Sequence, residues 1–490
     1  MKNKKDFTPC DLVIFGALGD LSRRKLFVSL YRLEIANLIE PETRIIGVDR
    51  HALQPSEFIA LVYKSLQEFS NETLPDNVWQ RFAARFAYLQ IDLTQMEQYQ
   101  QLNTVIDASA RVMVNYFAVS PVLFKSICQG LASSGVLNDQ SRMVMEKPIG
   151  HDLQSSQEIN DAVANVFKED QVFRIDHYLG KETVLNLLAL RFANSIFTTN
   201  WNHNTIDHIQ ITVAEEVGIE GRWEYFDKTG QLRDMLQNHL LQILTFIAME
   251  PPANLEAASI RSEKIKVLKA LRPITKRNVE EKTVRGQYTA GYMKGNPVPG
   301  YLEEEGANTN SSTESFVAMR VDIDNWRWAG VPFYLRTGKR MQSKCTEIVV
   351  YFKQLPHNIF DDSFRALPPN KLIIHLQPNE GVEIEMLNKI PGIEDPYIKL
   401  QKTKLNLSFS EDFKNNRIFG GYEKLVLEAM RGNSALFLSR EEIEQAWTWV
   451  DSIQEAWQHL NAKPKPYHAG TWGPIASVAL IARDSRAWEE

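Results

Sequence analysis

Residues 174–183 read RIDHYLGKET, and they set Arg174, Asp176, His177, Lys181 and Glu182 at the mouth of the apolar run VLNLLALRF. His177 and Lys181 lie four residues apart, on one face once a helix has begun, with Tyr178 beside them. Such a group can offer charge-assisted hydrogen bonds to a phosphate dianion. The same residues also suit a solvated helix start in which Lys181 pairs with a nearby carboxylate. A second histidine, His239, sits in DMLQNHLLQILTFIAM, where Leu236, Leu240, Ile243, Leu244 and Ile247 trace an apolar stripe. It reads either as a hydrogen-bonded structural histidine or as a proton acceptor, since imidazole titrates near neutral pH.

A third stretch, VIFGALGDLSRRKL, runs from an apolar strand through Gly16 and Gly19 into a helical pattern starting near Asp20 and Leu21. Glycines at such a turn let backbone N–H groups approach a diphosphate, and the helix start adds its positive dipole. The spacing is Gly-x-x-Gly, short of the three-glycine fingerprint, and equally serves a tight strand-to-helix turn. The next strand, RIIGVD, ends in Asp49 followed by Arg50. A carboxylate there accepts from a ribose 2′-OH and an arginine pairs with a 2′-phosphate, so Arg50 favours NADP while Asp49 leaves some NAD use open. MEKPIG sets Glu146, Lys147 and Pro148 after another apolar strand, where a Lys-Pro bond can adopt cis and aim Lys147 into a crevice, and where the same residues equally suit a plain surface turn.

These groups need positioning elements. In the first 150 residues, DLVIFG (11–16), RIIGVDR (44–50), VMVNYFAV (112–119) and RMVMEKPIG (142–150) are each followed by an amphipathic stretch. That rhythm predicts a doubly wound, Rossmann-like parallel sheet. From about 175 the pattern changes: helical segments near 180–197 and 234–249 surround DHIQITVAEE (207–216). Strand-like runs follow at 315–324, 347–353, 370–378, 381–387 and 403–410, several alternating with period two, before helical patterns return at 422–432 and 441–457. This predicts a larger domain built on a mostly antiparallel sheet with helices on one face. The expected division is a dinucleotide-binding domain over 1–175 and a substrate and oligomerisation domain over 176–490.

Composition narrows the class. A chain of 490 residues exceeds what one core usually serves. Its net charge of −6, with Lys and Arg spread along the chain, argues against general nucleic-acid binding. Cys10, Cys128 and Cys345 match no metal-ligand spacing, so no metal and a reducing compartment are expected. The longest apolar run, LLQILTFIAM, is about half a membrane span, and the polar start lacks a signal-peptide core. A soluble cytoplasmic protein without a membrane partner is the expectation.

GALGDLSRRKL, MEKPIG, RIDHYLGKETVLN, RDMLQNHLLQ, VRGQYTAGY, VPGYLEEEGAN and PFYLRTGKRM, in this order, closely resemble the bacterial glucose-6-phosphate dehydrogenase family. The resemblance runs from about residue 10 to 485 and is most specific in RIDHYLGKE. It implies oxidation of glucose 6-phosphate to 6-phosphogluconolactone with hydride transfer to NADP, the first step of the oxidative pentose phosphate route. His239 then corresponds to the general base and Asp176 to the carboxylate orienting it. His177, Tyr178 and Lys181 match the groups holding the sugar phosphate, and Glu215 and Asp234 those holding sugar hydroxyls. Lys339 and Lys344 match lysines near the substrate, and Lys25 and Lys147 lysines close to substrate and coenzyme. The family is typically dimeric or tetrameric, which implies a homodimer or homotetramer. Leu18 in the glycine turn, Asp49, and Gly420-Gly421 before the helical pattern at 422 depart from the family pattern.

Two other readings remain at this level. One is a sugar dehydrogenase with the same Rossmann domain and Glu-Lys-Pro motif acting on unphosphorylated sugars. The other is a catalytically silent NADP-binding regulator, against which the retained Asp176 and His239 argue.

Overall fold

Six of the chain's apolar runs pair side by side in the computed structural model, which describes residues 8–360, 367–392, 398–408 and 419–490. They are β1 (Cys10–Phe15), β2 (Arg44–Asp49), β3 (Phe86–Gln90), β4 (Val112–Phe117), β5 (Arg142–Met145) and β6 (Val172–Arg174). All neighbours are parallel, in the order β3-β2-β1-β4-β5-β6. β1 and β4 are buried along their whole length, as expected of central strands covered on both faces. The strand order reverses between β1 and β4, the switch point beside which open α/β sheets bind ligands.

Four of these strands match the expected runs. The edge strands β3 and β6 add to them, being five and three residues long, too short for a periodicity signal. The sheet lies in one compact unit, which comprises residues 1–182, 252–262 and 418–444.

The second unit comprises 183–251, 263–417 and 445–490. Its sheet uses β7 (Ile206–Ala214), β8 (Thr283–Thr289), β11 (Phe316–Val321), β12 (Phe333–Gly338), β13 (Cys345–Phe352), β14 (Lys371–Gln377), β15 (Gly381–Lys389), β16 (Leu400–Ser408) and β17 (Lys465–His468). A small separate hairpin pairs β9 (Gly291–Met293) with β10 (Asn296–Val298). The sheet order is β16-β15-β14-β13-β7-β12-β11-β8-β17, antiparallel except at β7–β12 and β8–β17. The mostly antiparallel expectation therefore holds. Of the run expected at 403–410, residues 409 and 410 lie outside the described residues.

One parallel pair matters for the site. Ala214 at the end of β7 sits opposite Gly338 at the end of β12, so the residues following both strands emerge together. Trp223 and Phe226 pack in this unit's core with Tyr301, Phe316 and Tyr334. The helical expectation at 234–249 is met by a wider, π-helical stretch, Leu232–Leu240, continuing into an α-helix, Leu241–Ala248.

Candidate active site

In the first unit, the chain leaves β1 at Gly16 with φ of +85°, a left-handed conformation that glycine adopts without steric cost. A Cβ there would lie 2.6 Å from the Ala118 carbonyl oxygen and from Val119 Cγ1. The Gly16 and Ala17 N–H groups donate to Val48 O at 2.9 and 3.1 Å, and Gly19 N–H to Gly16 O at 3.1 Å. The chain turns helical at Asp20 and Leu21 and runs on through the π-helical stretch Ser22–Leu26, which has no side-chain cap. Leu21 is partly exposed, the Asp20 carboxylate is exposed and pairs with Arg24, and Lys25 is exposed. This open helix start beside the switch point fits a dinucleotide diphosphate.

At the end of β2, the Asp49 carboxylate lies 2.7 Å from His51 Nδ1 and also accepts the His51 backbone N–H. Arg50 is exposed, and no ion pair engages it among the described residues. After β5, the Lys147-Pro148 bond is cis, as anticipated. The preceding Glu146 is buried and accepts from the Tyr116 hydroxyl at 2.6 Å and from that of Tyr422. Burial pushes its carboxyl up to about 7, against those hydroxyls and the charge of Lys147.

The RIDHYLGKE segment is organised by short-range contacts. Asp176 is buried and its carboxylate accepts the Tyr178 backbone N–H at 2.9 Å. Lys181 Nζ lies 3.5 Å from the centroid of the Tyr178 ring, and the His177 ring stacks on Tyr422 at 6.3 Å between centroids. The sequence left Arg174 and Glu182 without roles. Arg174 is buried, donates to both oxygens of Glu169 at 2.8 and 3.0 Å and to Asn160, and serves packing. Glu182 pairs with Lys424.

The Gly420-Gly421 departure also acquires a reason. A Cβ at Gly180 would lie 2.4 Å from Gly421 O, and one at Gly421 would lie 2.6 Å from His177 O. Backbone meets backbone here, with Gly420 capping the helix Gly421–Arg431 and bringing Tyr422 onto His177.

In the second unit, Glu215 and Lys339 follow the paired ends of β7 and β12, and their side chains meet at 2.9 Å. Lys339 Nζ is also 4.0 Å from Asp234 and lies over the Phe226 ring. Three residues distant in sequence thus form one polar cluster, its lysine nearly buried. Asp234 also accepts from the Tyr225 hydroxyl, which burial pushes up to about 12. Lys344 is exposed; its backbone N–H donates to Glu216, and its side chain does not join the cluster.

His239, fully buried, lies on the same π-helical stretch as Asp234, and its backbone N–H donates to Asn238 Oδ1 at 2.7 Å. The start of that stretch is held by a residue absent from the sequence reading. Glu314 is buried, accepts the Leu232 N–H at 3.1 Å, and its backbone carbonyl accepts the Gln231 N–H at 2.9 Å. A Cβ at Gly230, whose φ is +72°, would lie 2.5 Å from the Glu314 carboxylate. Glycine at 230 therefore lets a carboxylate reach the helix dipole.

A parallel dinucleotide-type sheet joined in one chain to a large mixed sheet with such a polar cluster defines a nicotinamide-dependent dehydrogenase class. Family models described as "Glucose-6-phosphate dehydrogenase, NAD binding domain" and "Glucose-6-phosphate dehydrogenase, C-terminal domain" match residues 13–186 and 188–489. The chain is 60% identical over 481 residues to a glucose-6-phosphate 1-dehydrogenase of Dickeya dadantii, covering 98% of each. Its fold matches a glucose-6-phosphate dehydrogenase solved with its substrate glucose 6-phosphate, at TM-score 0.89, 34% identity and 99% of both chains. The Mycobacterium avium glucose-6-phosphate 1-dehydrogenase structure gives TM-score 0.86, also at 34% identity and 99% of both chains. The chain belongs to the glucose-6-phosphate dehydrogenase family.

Proposed function

We propose that this chain oxidises glucose 6-phosphate at C1 to 6-phosphoglucono-1,5-lactone. Near-full-length identity of 60% to a relative of that name carries this reading. His239 is the proposed base, taking the proton of the anomeric hydroxyl, and Asp176 the proposed carboxylate that orients it and stabilises its imidazolium form. The coenzyme, when bound, accepts the hydride from C1. Gly16, Gly19, Asp20 and Leu21 are the proposed cradle for its diphosphate, with Lys147 beside it.

His177, Tyr178 and Lys181 are assigned to the sugar phosphate; Lys181 supplies charge and the ring of Tyr178 holds it in place. Glu215, Asp234 and Lys339 are assigned to the sugar hydroxyls, their mutual contacts pre-setting acceptor and donor directions. Lys25 and Lys344, both exposed, are assigned to longer-range attraction of the substrate dianion.

NADP is the proposed coenzyme. The exposed Arg50, in no ion pair among the described residues, supports it, as does commitment of the Asp49 carboxylate to His51, which draws its charge from a 2′-phosphate. A cytoplasmic homodimer or homotetramer remains the proposed state.

Following reduced coenzyme by absorbance with glucose 6-phosphate or glucose tests the reading. Turnover should be strong with the phosphate ester and NADP and weak with glucose. Equal efficiency with both sugars would remove the phosphate role of His177 and Lys181. A flat trace with both coenzymes across pH 6–9 would favour a silent regulator.

A further inference from the structure

The second unit contains a cleft of about 730 Å³ whose lining includes Lys228, Arg233, Arg285, Lys463, Trp457 and Glu314. Arg285, on β8, lies over the Trp457 ring at 4.9 Å and donates to Ala462 O at 2.5 Å. Arg233 donates to Lys228 O and Gln454 Oε1, each at 3.1 Å, while its buried Nε has no hydrogen-bond partner. Both guanidiniums thus bond neutral oxygens, and among the described residues neither forms an ion pair with a carboxylate. Lys463 is exposed at the rim.

The carboxylates at this cleft are already engaged. Asp227 accepts from the Tyr301 and Ser311 hydroxyls, and Glu314 from the Leu232 N–H. Four cations therefore line a cleft with two hydrogen-bonded carboxylates; Lys228 already pairs with Glu224 at 2.9 Å, which leaves Arg233, Arg285 and Lys463 as the cations facing Asp227 and Glu314. Partly desolvated guanidiniums that share one buried carboxylate, Glu314, are incompletely compensated, and a polyanion is the ligand that would repay them.

We propose that this cleft binds a small polyanion carrying two or more phosphate groups, and that its occupancy lowers turnover through the helix bearing Asp234 and His239. The binding half stands on the cleft alone; the turnover half rests on the function proposed above. Arg233 precedes Asp234 in that helix, and the charges of Arg285 and Arg233 favour the ionised form of Glu314, which burial opposes. An anion that neutralises the two arginines favours the protonated carboxyl, a weaker acceptor for the Leu232 N–H. The start of the helix loosens, and Asp234 and His239 lose their fixed positions.

The test is calorimetric titration of the full chain with inorganic pyrophosphate, with saturating glucose 6-phosphate and NADPH present to fill the substrate and coenzyme phosphate sites. One further binding event is expected, weakened about tenfold or more in Arg285→Gln/Lys463→Gln. Absence of binding in the wild type, or equal affinity in the double variant, overturns the site. Should the double variant lose its folded circular-dichroism signal, the exposed Lys463→Gln alone should weaken binding about threefold or more, and unchanged affinity there overturns it equally. In initial rates at saturating glucose 6-phosphate and NADP, pyrophosphate should lower kcat in the wild type and not in the variant. Inhibition that is purely competitive with glucose 6-phosphate and unchanged in the variant sinks the coupling. Calorimetry reads binding whatever residue is the base, so failure of the catalytic assignments leaves that result standing.

Discussion

Among the described residues, two π-helical stretches lie just beyond glycine-dependent turns, and the starts of their helices are met in opposite ways. Ser22–Leu26 follows the Gly16 turn with no side-chain cap, and the nearby Asp20 carboxylate turns to Arg24. Leu232–Leu240 follows Gly230 and is met at its first N–H by the buried Glu314 carboxylate. An uncapped start leaves backbone donors and dipole for an external anion. A capped start has spent them internally, so its contribution to a site must come from side chains, here Asp234 and His239. On the proposed reading, the first helix binds and the second holds chemistry in place.

The sharpest way to break this contrast is to remove the side chain on which the second helix is proposed to act. His239→Asn keeps a similar polar volume without a titrating imidazole. It should lower kcat by about 10²- to 10⁴-fold, the usual contribution of a general base, with KM changed about threefold or less. Steady-state kinetics at saturating NADP reads both constants. Turnover equal to wild type would return His239 to a structural role and leave the second helix without its assigned task.

A smaller effect is expected from uncapping. Glu314→Ala strands the Leu232 N–H in a buried setting and should cost about 1–3 kcal/mol in urea unfolding. Glu314→Gln, which keeps an acceptor oxygen but not the charge, should recover only part of it. Asp20→Ala, at the exposed start of the first helix, should stay within about 0.5 kcal/mol. Equal losses at both positions would mean that the two helix starts do not differ in the way their contacts suggest.

The same contrast explains what could be read from sequence. The uncapped turn is local: strand, glycines and helix start fall within about a dozen consecutive residues, and the buried strands β1, β2, β4 and β5 are contiguous apolar runs. The capped start is not local. Glu314 lies 82 residues from Leu232, in a polar stretch, NSSTES, that has the composition of a loop. Tyr422 likewise reaches His177 and Glu146 only through the fold, so the glycines before it looked like an anomaly rather than a backbone contact. Strands β8 and β17 carried no predicted strand because β8 is interrupted by Gly286 and β17 has four residues, one of them proline; β12, six residues with glycine only at its end, carried none either. Proximity between sequence neighbours, by contrast, was legible, as with Lys181 and Tyr178.

The smallest predicted effect tests the binding side of the comparison, at the coenzyme ribose. Arg50→Ala removes an exposed guanidinium, so folding should be unaffected and only the response to a 2′-phosphate should change. The ratio of kcat/KM for NADP to that for NAD should fall by about tenfold, the worth of one charged hydrogen bond at a partly solvated site. Asp49→Ala separates the two neighbours. Its carboxylate is held by the His51 ring at 2.7 Å and by the His51 backbone N–H, so its removal should move that ratio by no more than about twofold. A large rise in NADP preference in Asp49→Ala would mean that the carboxylate faces the ribose in the working enzyme, and that the His51 contact gives way when coenzyme binds. An unchanged ratio in Arg50→Ala would take the 2′-phosphate from Arg50 and leave the backbone donors of the uncapped helix start to carry coenzyme binding without discriminating between the two.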